Sequence, residues 1–336
     1  MQTAIIWDEA YAEHDTGTHP EGADRINSLV GHLQTTDLWP RLSIVKPQMA
    51  SENDVLLVHT RQHLEMIRRA AQRGGRWIDS DTHVSPRSFD IALLSLGGAL
   101  GTRKLWQDGL VPFALVRPPG HHATPDRAMG FCLFNNVAIL AATLLEEGYE
   151  RVAIVDWDVH HGNGTQAAFI DDPRVLFISL HQWPLYPGSG WFNENGGGAG
   201  EGFTVNIPLP PGSNDGDYAH AFSQIVEPIV SQFVPQALLV SAGQDGHVDD
   251  QLASMMLTEN GFAHMALRVL RLAQQCCEGR LALVLEGGYD RVASAHSVAA
   301  IVRTLSDEAA PEVGDSGRAS QAIERAVETQ QAFWQL

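Results

Sequence analysis

Along the chain, short apolar runs alternate with longer stretches in which apolar residues return every three or four positions. The runs Ala4 to Trp7, Pro112 to Val116, Val152 to Val155, Val175 to Leu180, Phe203 to Ile207, Ala237 to Val240 and Leu281 to Leu285 are short and mostly β-branched, and predict strands. Helical spacing covers Ser88 to Trp106, Asn135 to Glu147, Asp217 to Phe233, Glu259 to Cys276 and Arg291 to Leu305. The alternation is the βαβ rhythm of an α/β fold whose parallel sheet is covered by helices on both faces. No Ser/Gly/Pro-rich linker or charge block divides the chain, so residues 1–336 are expected to form one domain. In such folds chemistry collects beyond the carboxyl ends of strands.

Composition narrows the function classes. A chain of 336 residues with 44% hydrophobic content can bury a substantial core. Its net charge of −18 repels a phosphate backbone, and its Lys and Arg residues are not expected to gather into a patch that offsets this locally. Nucleic acid is thereby excluded as a direct partner, whereas a cationic substrate is attracted. Cys132, Cys276 and Cys277 form no metal or disulfide ladder and fit a reducing compartment. The N-terminus lacks a basic segment followed by a long apolar run, and no stretch reaches the roughly 18 apolar residues of a membrane span. A cytoplasmic protein with no membrane partner is expected. The glycine-rich segment Gly188 to Gly202 reads as a mobile or tightly turned loop near the site. In the tail, Ser316 to Leu336, apolar positions are spaced for a helix that packs on the body or on a neighbouring subunit, which leaves a homo-oligomer open.

The residues after the predicted strands carry the chemistry. Val152-Ala-Ile-Val155 runs into Asp156-Trp-Asp-Val-His-His161. On an extended segment Asp158 and His160 point the same way and can reach one cation, leaving Asp156 and His161 for other duties. One Asp and one His suit Zn²⁺ but need a further ligand, for which Asp245, between Gly243 and Gly246, is a candidate. Arg117-Pro-Pro-Gly-His121-His122 follows another strand, and two buried imidazoles there suit acid/base work. Ser179-Leu-His181 and Glu286-Gly-Gly-Tyr289 also sit at strand ends, and the Tyr289 phenol can hydrogen-bond a developing oxyanion.

Taken together, Arg117-Pro-Pro-Gly-His-His, Gly130-Phe-Cys-Leu-Phe-Asn-Asn136, Asp156-Trp-Asp-Val-His-His-Gly-Asn-Gly164, Ser179-Leu-His181, Tyr186-Pro-Gly-Ser-Gly190, Ser241-Ala-Gly-Gln-Asp245 and Glu286-Gly-Gly-Tyr289, with His19-Pro-Glu21 and Arg25-Ile26, resemble the zinc-dependent histone deacetylase and acetylpolyamine amidohydrolase family from about residue 14 to 305. The resemblance implies an arginase-like, open, mainly parallel sheet and hydrolysis of N-acetyl or other N-acyl amides of lysine-like amines. It implies Asp158, His160 and Asp245 as Zn²⁺ ligands, His122 as general base, and His121, oriented by Asp156, as its protonated neighbour. Tyr289 becomes the oxyanion donor. Gly130, Phe131, Tyr186 and Leu252 line a tunnel with Asp81 at its rim, and Arg25 and Asn163 lie behind the reacting groups. K⁺ is implied at two sites, held largely by backbone oxygens: Asp156, Asp158, His160, Ser179 and Leu180 at the first, Phe169, Asp172, Val175 and Phe203 at the second. Asn163, where many eukaryotic class I members carry Asp, is similar to class II and bacterial members. Leu252, in place of the Glu of the polyamine-selective class IIb enzyme, argues against that route to polyamine selectivity. An acetylpolyamine substrate and a non-catalytic acyl-ligand-binding relative are the alternatives.

Overall fold

Runs such as Val152-Ala-Ile-Val155 become strands because both faces of the pleat find apolar cover: every residue of Val152–Asp156 is buried. The computed structural model describes residues 2–307, 309–314 and 317–336. Its strands, in chain order, are β1 Gln2–Ile6, β2 Ser43–Val45, β3 Arg76–Trp77, β4 His83–Val84, β5 Leu110–Ala114, β6 Val152–Asp156, β7 Val175–Gln182, β8 Thr204–Leu209, β9 Ala237–Ala242 and β10 Leu281–Leu285. Eight of them form one sheet in the order β2-β1-β5-β10-β9-β6-β7-β8, every pair parallel. β3 and β4 form a separate antiparallel ribbon. The four central strands, β5, β10, β9 and β6, therefore end side by side on one edge of the sheet, and that edge carries the candidate chemistry.

All seven expected strands are present, and the structure shifts their limits. Ser179-Leu-His181 lies inside β7, which runs on to Gln182, rather than beyond its end. The continuous helix expected over Asp217 to Phe233 is three pieces: Asp215–Ala221, a π-helical turn Phe222–Val226, and Glu227–Phe233. Pro228, which has no N–H to donate, stands at the start of the last piece, and the Glu227 N–H reaches back to the Phe222 carbonyl. The helices Ala23–Thr35 and Arg61–Gln72 and the edge strand β2 were not expected.

The tail forms the helix Ser320–Gln330, which packs on the body. Ile323 and Ala326 are buried, and the Trp334 indole donates to the Gly202 carbonyl at 2.9 Å. Ser316, the expected start of this segment, lies outside the described residues. No described helix is long and apolar enough to cross a membrane.

Candidate active site

β6 stops at Asp156, and the next residues bend instead of continuing extended. This corrects the alternation argument for Asp158 and His160: the two meet because the chain curls, with the His160 N–H donating to Asp158 Oδ1 at 3.0 Å. Asp245, from the loop after the neighbouring β9, closes the group. One ligand atom from each of Asp158, His160 and Asp245 lies within 4.8 Å of the others, and all three side chains are buried. His160 Nδ1 stands 3.3 Å from Asp158 Oδ1 and 3.0 Å from Asp245 Oδ2. The second carboxylate oxygens are pinned by backbone: Gly287 N–H donates to Asp158 Oδ2 at 2.8 Å and Val159 N–H to Asp245 Oδ1 at 3.0 Å.

Such a donor set fits a divalent cation. Two buried carboxylates around one imidazole are costly without a positive charge between them. Burial and the neighbouring Asp158 push Asp245 up to about 7. For His160, burial opposes charge, but hydrogen bonds to Asp158 and Asp245 raise it to about 10. Glycine makes room for the cradle. A Cβ at Gly243 would stand 2.1 Å from Asp158 Oδ2, and one at Gly287 would stand 2.2 Å from Asp245 Oδ2.

The tandem histidines arrive from the loop after β5. Glu286, fully buried at the end of β10, accepts the N–H groups of Gly120 at 2.6 Å and His121 at 3.1 Å, tying the loop to the neighbouring strand. His121 Nδ1 donates to Asp156 Oδ2 at 2.9 Å. Burial opposes charge on His121, but the carboxylates of Asp158, Asp156 and Glu286 outweigh it and hold its pKa well above the usual imidazole value. His122 is different: burial and the charges of His121 and His160 push it well below that value. Its Nδ1 lies 2.8 Å from Asn163 Oδ1, an acceptor, so Nδ1 carries the proton and the Nε2 lone pair is free. A Cβ at Gly130, which has φ +55°, would stand 2.3 Å from the His122 ring, so only glycine fits beside it.

His122 and His160 form the floor of a cavity of about 230 Å³, together with Asp81, Gly130, Phe131, Leu185, Tyr186, Leu252 and Tyr289. All five expected tunnel residues line it, and Leu185 is an addition. Tyr186 stands edge-on to the His122 ring at 5.1 Å, and Phe131 edge-on to Tyr289 at 5.5 Å. Burial and the nearby Asp245 carboxylate keep the Tyr289 phenol well above its ordinary pKa, hence protonated. Asp250 fixes the tyrosine's turn by accepting the N–H groups of Tyr289 at 2.6 Å and Asp290 at 3.1 Å. Arg25 lies 5.2 Å from the Tyr289 ring centroid and donates to the Gly288 carbonyl at 2.6 Å. Asp81 accepts from the Thr82 hydroxyl at 2.9 Å, and that hydroxyl accepts the Phe131 N–H at 3.2 Å.

Of the residues expected to hold K⁺, Asp156 and Ser179 are direct partners across β6 and β7. Leu180 follows Ser179, and Asp158 and His160 follow Asp156. In the second set, the carbonyls of Phe169, Asp172 and Phe203 each accept one backbone N–H, from Asp172, Val175 and Phe177 respectively, which leaves each a further lone pair.

Among the buried histidines that sequence reasoning passed over, His59 and His63 hold a loop of the site. His59 Nδ1 donates to the Thr124 carbonyl at 2.9 Å while its Nε2 accepts the Asn135 N–H at 2.8 Å, and His63 Nε2 donates to the Leu133 carbonyl at 2.8 Å. They clamp both ends of the loop that carries Gly130 and Phe131. Nothing in the local sequence signals this, because His59 and His63 flank an ordinary helix start capped by Thr60.

Comparison with known proteins adds a consistent set of likenesses. The family described as Histone deacetylase domain matches residues 19–305. A "Probable deacetylase" of Archaeoglobus fulgidus is 46% identical over 294 residues, 86% of this chain and 82% of that protein. A "Histone deacetylase-like amidohydrolase" of Pseudomonas aeruginosa is 36% identical over 330 residues, covering 91% of this chain and 86% of the other. Among solved structures, the HDA15 HD domain superposes with a TM-score of 0.93 at 35% identity, covering 99% of this chain and 95% of that one.

Proposed function

The chain belongs to the histone deacetylase domain family, and from that membership and the site's geometry we propose that it hydrolyses N-acetyl, or other N-acyl, amides of lysine-like amines with the help of one Zn²⁺. The observation that carries the reading is the meeting of the Asp158, His160 and Asp245 donors with a neutral His122 and a protonated Tyr289 around one narrow cavity. Asp158, His160 and Asp245 would hold the ion. Bound there, Zn²⁺ supplies Lewis acidity, polarising an amide carbonyl and bringing the pKa of water from ~15.7 towards ~7. Two K⁺ ions belong to the same proposal, at the carbonyl-rich turns around Asp156 to Leu180 and Phe169 to Phe203.

The protein's own groups divide the work. Phe131, Tyr186 and Leu252 accept an aliphatic stem and exclude water, so the amide is presented at the buried end. His122 Nε2 takes the proton of the attacking water. His121 stays an imidazolium held by Asp156 and supplies positive charge beside the reacting carbon, and the histidine pair returns a proton to the leaving amine. The Tyr289 hydroxyl donates to the oxyanion that develops on the carbonyl.

Turnover of an acetyllysine peptide, acetylputrescine, acetylspermidine and longer acyl-lysine peptides by the zinc-loaded and the chelated protein tests this. The expected result is zinc-dependent release of acetate with acetyllysine preferred. A strong preference for a free acetylpolyamine would replace the lysine reading, and zinc-independent turnover would remove the metal from it.

A further inference from the structure

The segment Arg61 to Arg76 carries five arginines and one glutamate in a chain of net charge −18. Arg68 is committed: it pairs with Glu52 and with Glu65, the latter at 2.7 Å, and lies over Phe89. Arg61, Arg69, Arg73 and Arg76 are exposed and have no acceptor among the described residues. Several arginines elsewhere on this acidic surface find carboxylates, as in Arg87 with Glu13 and Asp90, Arg174 with Asp172, and Arg291 with Asp24, while Arg127 and Arg271, which have no such partner among the described residues, stand singly. With 40 acidic residues against 22 basic ones, four unpaired arginines of one sign in one place are the reverse of what the composition favours. The expectation that no basic patch would form is corrected by this one.

The four share one open groove of about 460 Å³, together with Gln62, Met66 and Glu65, whose carboxylate is taken up by Arg68 at 2.7 Å. Arg61, Arg69 and Arg73 fall on one face of the helix Arg61–Gln72 and its C-cap because they repeat at multiples of four, with the Arg68-paired Glu65 between the first two. Arg76 joins from β3, across the tight turn Gly74-Gly75. A Cβ at Gly75 would stand 2.4 Å from the Val84 carbonyl, so the turn holds the ribbon against the helix. Twelve helical residues make the stripe about 18 Å long, the reach of five or six extended residues. The ribbon also borders the cavity: Trp77 follows Arg76 and packs near His19, His19 packs edge-on to Phe131 at 4.5 Å, and Asp81 lines the mouth. Arg76 and Asp81 are five residues apart, so no more than about 18 Å separates their Cα atoms.

We propose that this groove is a docking site for an acidic segment of an acylated protein substrate, lying within about six residues of the modified lysine. The proposal rests on the deacylase reading of the cavity. Planar guanidinium groups bind carboxylates bidentately, and an extended peptide whose lysine occupies the cavity reaches the stripe along the ribbon. The chain's overall negative charge works against a long nucleic acid and leaves room for a short acidic strip.

The test uses two peptides, each with acetyllysine followed by six residues, four of them Glu in one and Gln in the other. The expected wild-type KM is about tenfold lower for the Glu peptide at low salt, with kcat alike. The difference disappears in an Arg69→Gln/Arg73→Gln variant and at about 0.5 M salt, while turnover of acetyllysine amide is the same in both proteins. Fluorescence anisotropy with a labelled Glu peptide carrying Gln for acetyllysine reads the groove without catalysis. Failure of the deacylase reading would leave that binding, and its loss in the variant, in place. Equal KM values and no anisotropy change overturn the proposal. So does tighter binding of inorganic polyphosphate or single-stranded DNA to the same arginines, or a dimer that depends on them.

Discussion

At His122 the side chain of Asn163 decides which nitrogen carries the proton. An amide oxygen at 2.8 Å accepts from Nδ1 without adding charge, so burial and the two neighbouring histidines are free to keep the ring neutral. Asn163→Asp adds a carboxylate at that contact, favours the charged ring, and raises its pKa. Because the base must be neutral, the acidic limb of the kcat/KM profile moves to higher pH by about 1 to 3 units. An unmoved limb would mean that His122 is not the titrating base. Tyr289 is tested more simply. Tyr289→Phe removes one oxyanion donor and lowers kcat by about 10² to 10³, with KM little changed, as steady-state kinetics would read. The candidate ligands and the tandem histidines were legible because each lies within a few residues of the end of a buried apolar run. His59 was not: its two hydrogen bonds join segments far apart in the chain, and neither partner carries a side-chain signal.

At the scale of elements, the strands were legible where both faces are buried and obscure where one is not. Every residue of β6 and β10 is buried, whereas Ile44 of the edge strand β2 is 40% exposed and its three residues give no pattern. The helix Ala23–Thr35 starts at Gly22 without a side-chain cap, although Ile26, Leu29, Val30 and Leu33 bury one face, and Arg61–Gln72, capped by Thr60, buries only Leu64 and Ile67 as large apolar residues in a strongly polar stretch. What the elements do for the site can be tested at their ends. The turn after β10 passes Asp158 and Asp245 so closely that Gly287→Ala must displace both carboxylates. Zinc stoichiometry after dialysis is expected to fall well below one per chain while the fold, followed by circular dichroism, persists. Full zinc occupancy would count against the cradle. The clamp on the loop after β5 gives a second test. His59→Phe keeps the ring's volume but leaves the Asn135 N–H and Thr124 carbonyl unpaired, at about 1–3 kcal/mol each. Denaturant melts should show that loss, with kcat falling alongside, and His59→Gln, which offers one donor and one acceptor, should recover most of both. Equal melts for the two variants would show that the hydrogen bonds contribute nothing.

Across the whole molecule, the parallel sheet gathers Asp156, Asp158, Asp245 and Glu286 at one edge, all fully buried or nearly so. So much buried negative charge links stability to pH and to the metal. Burial raises Asp156 to about 6, and Asp245 and Glu286 to about 7, each above its value in the unfolded chain. Without a cation, then, these three groups together hold more protons in the folded chain than in the unfolded one between about pH 4 and 7, whereas Asp158, whose burial opposes charge but which the neighbouring histidines hold low, does not. The stability these groups contribute is complete below pH 4 and is lost as pH rises through 7. His160 acts in the same direction: raised from 6.5 to about 10, it holds a proton that contributes stability below 6.5 and ceases to as pH climbs towards 10. Zn²⁺ takes the place of the protons on Asp245 and His160, so its binding releases them and strengthens as pH rises. The Tm of the zinc-loaded protein minus that of the chelated protein is therefore expected to widen steadily from pH 5 to 8 at fixed free zinc. A calorimetric series in buffers of different ionisation enthalpy would count the released protons directly. A Tm gap that is flat or narrows over that range would mean that the three side chains are not the metal's ligands, because no other described His, Cys, Asp or Glu cluster would couple a metal to those protons.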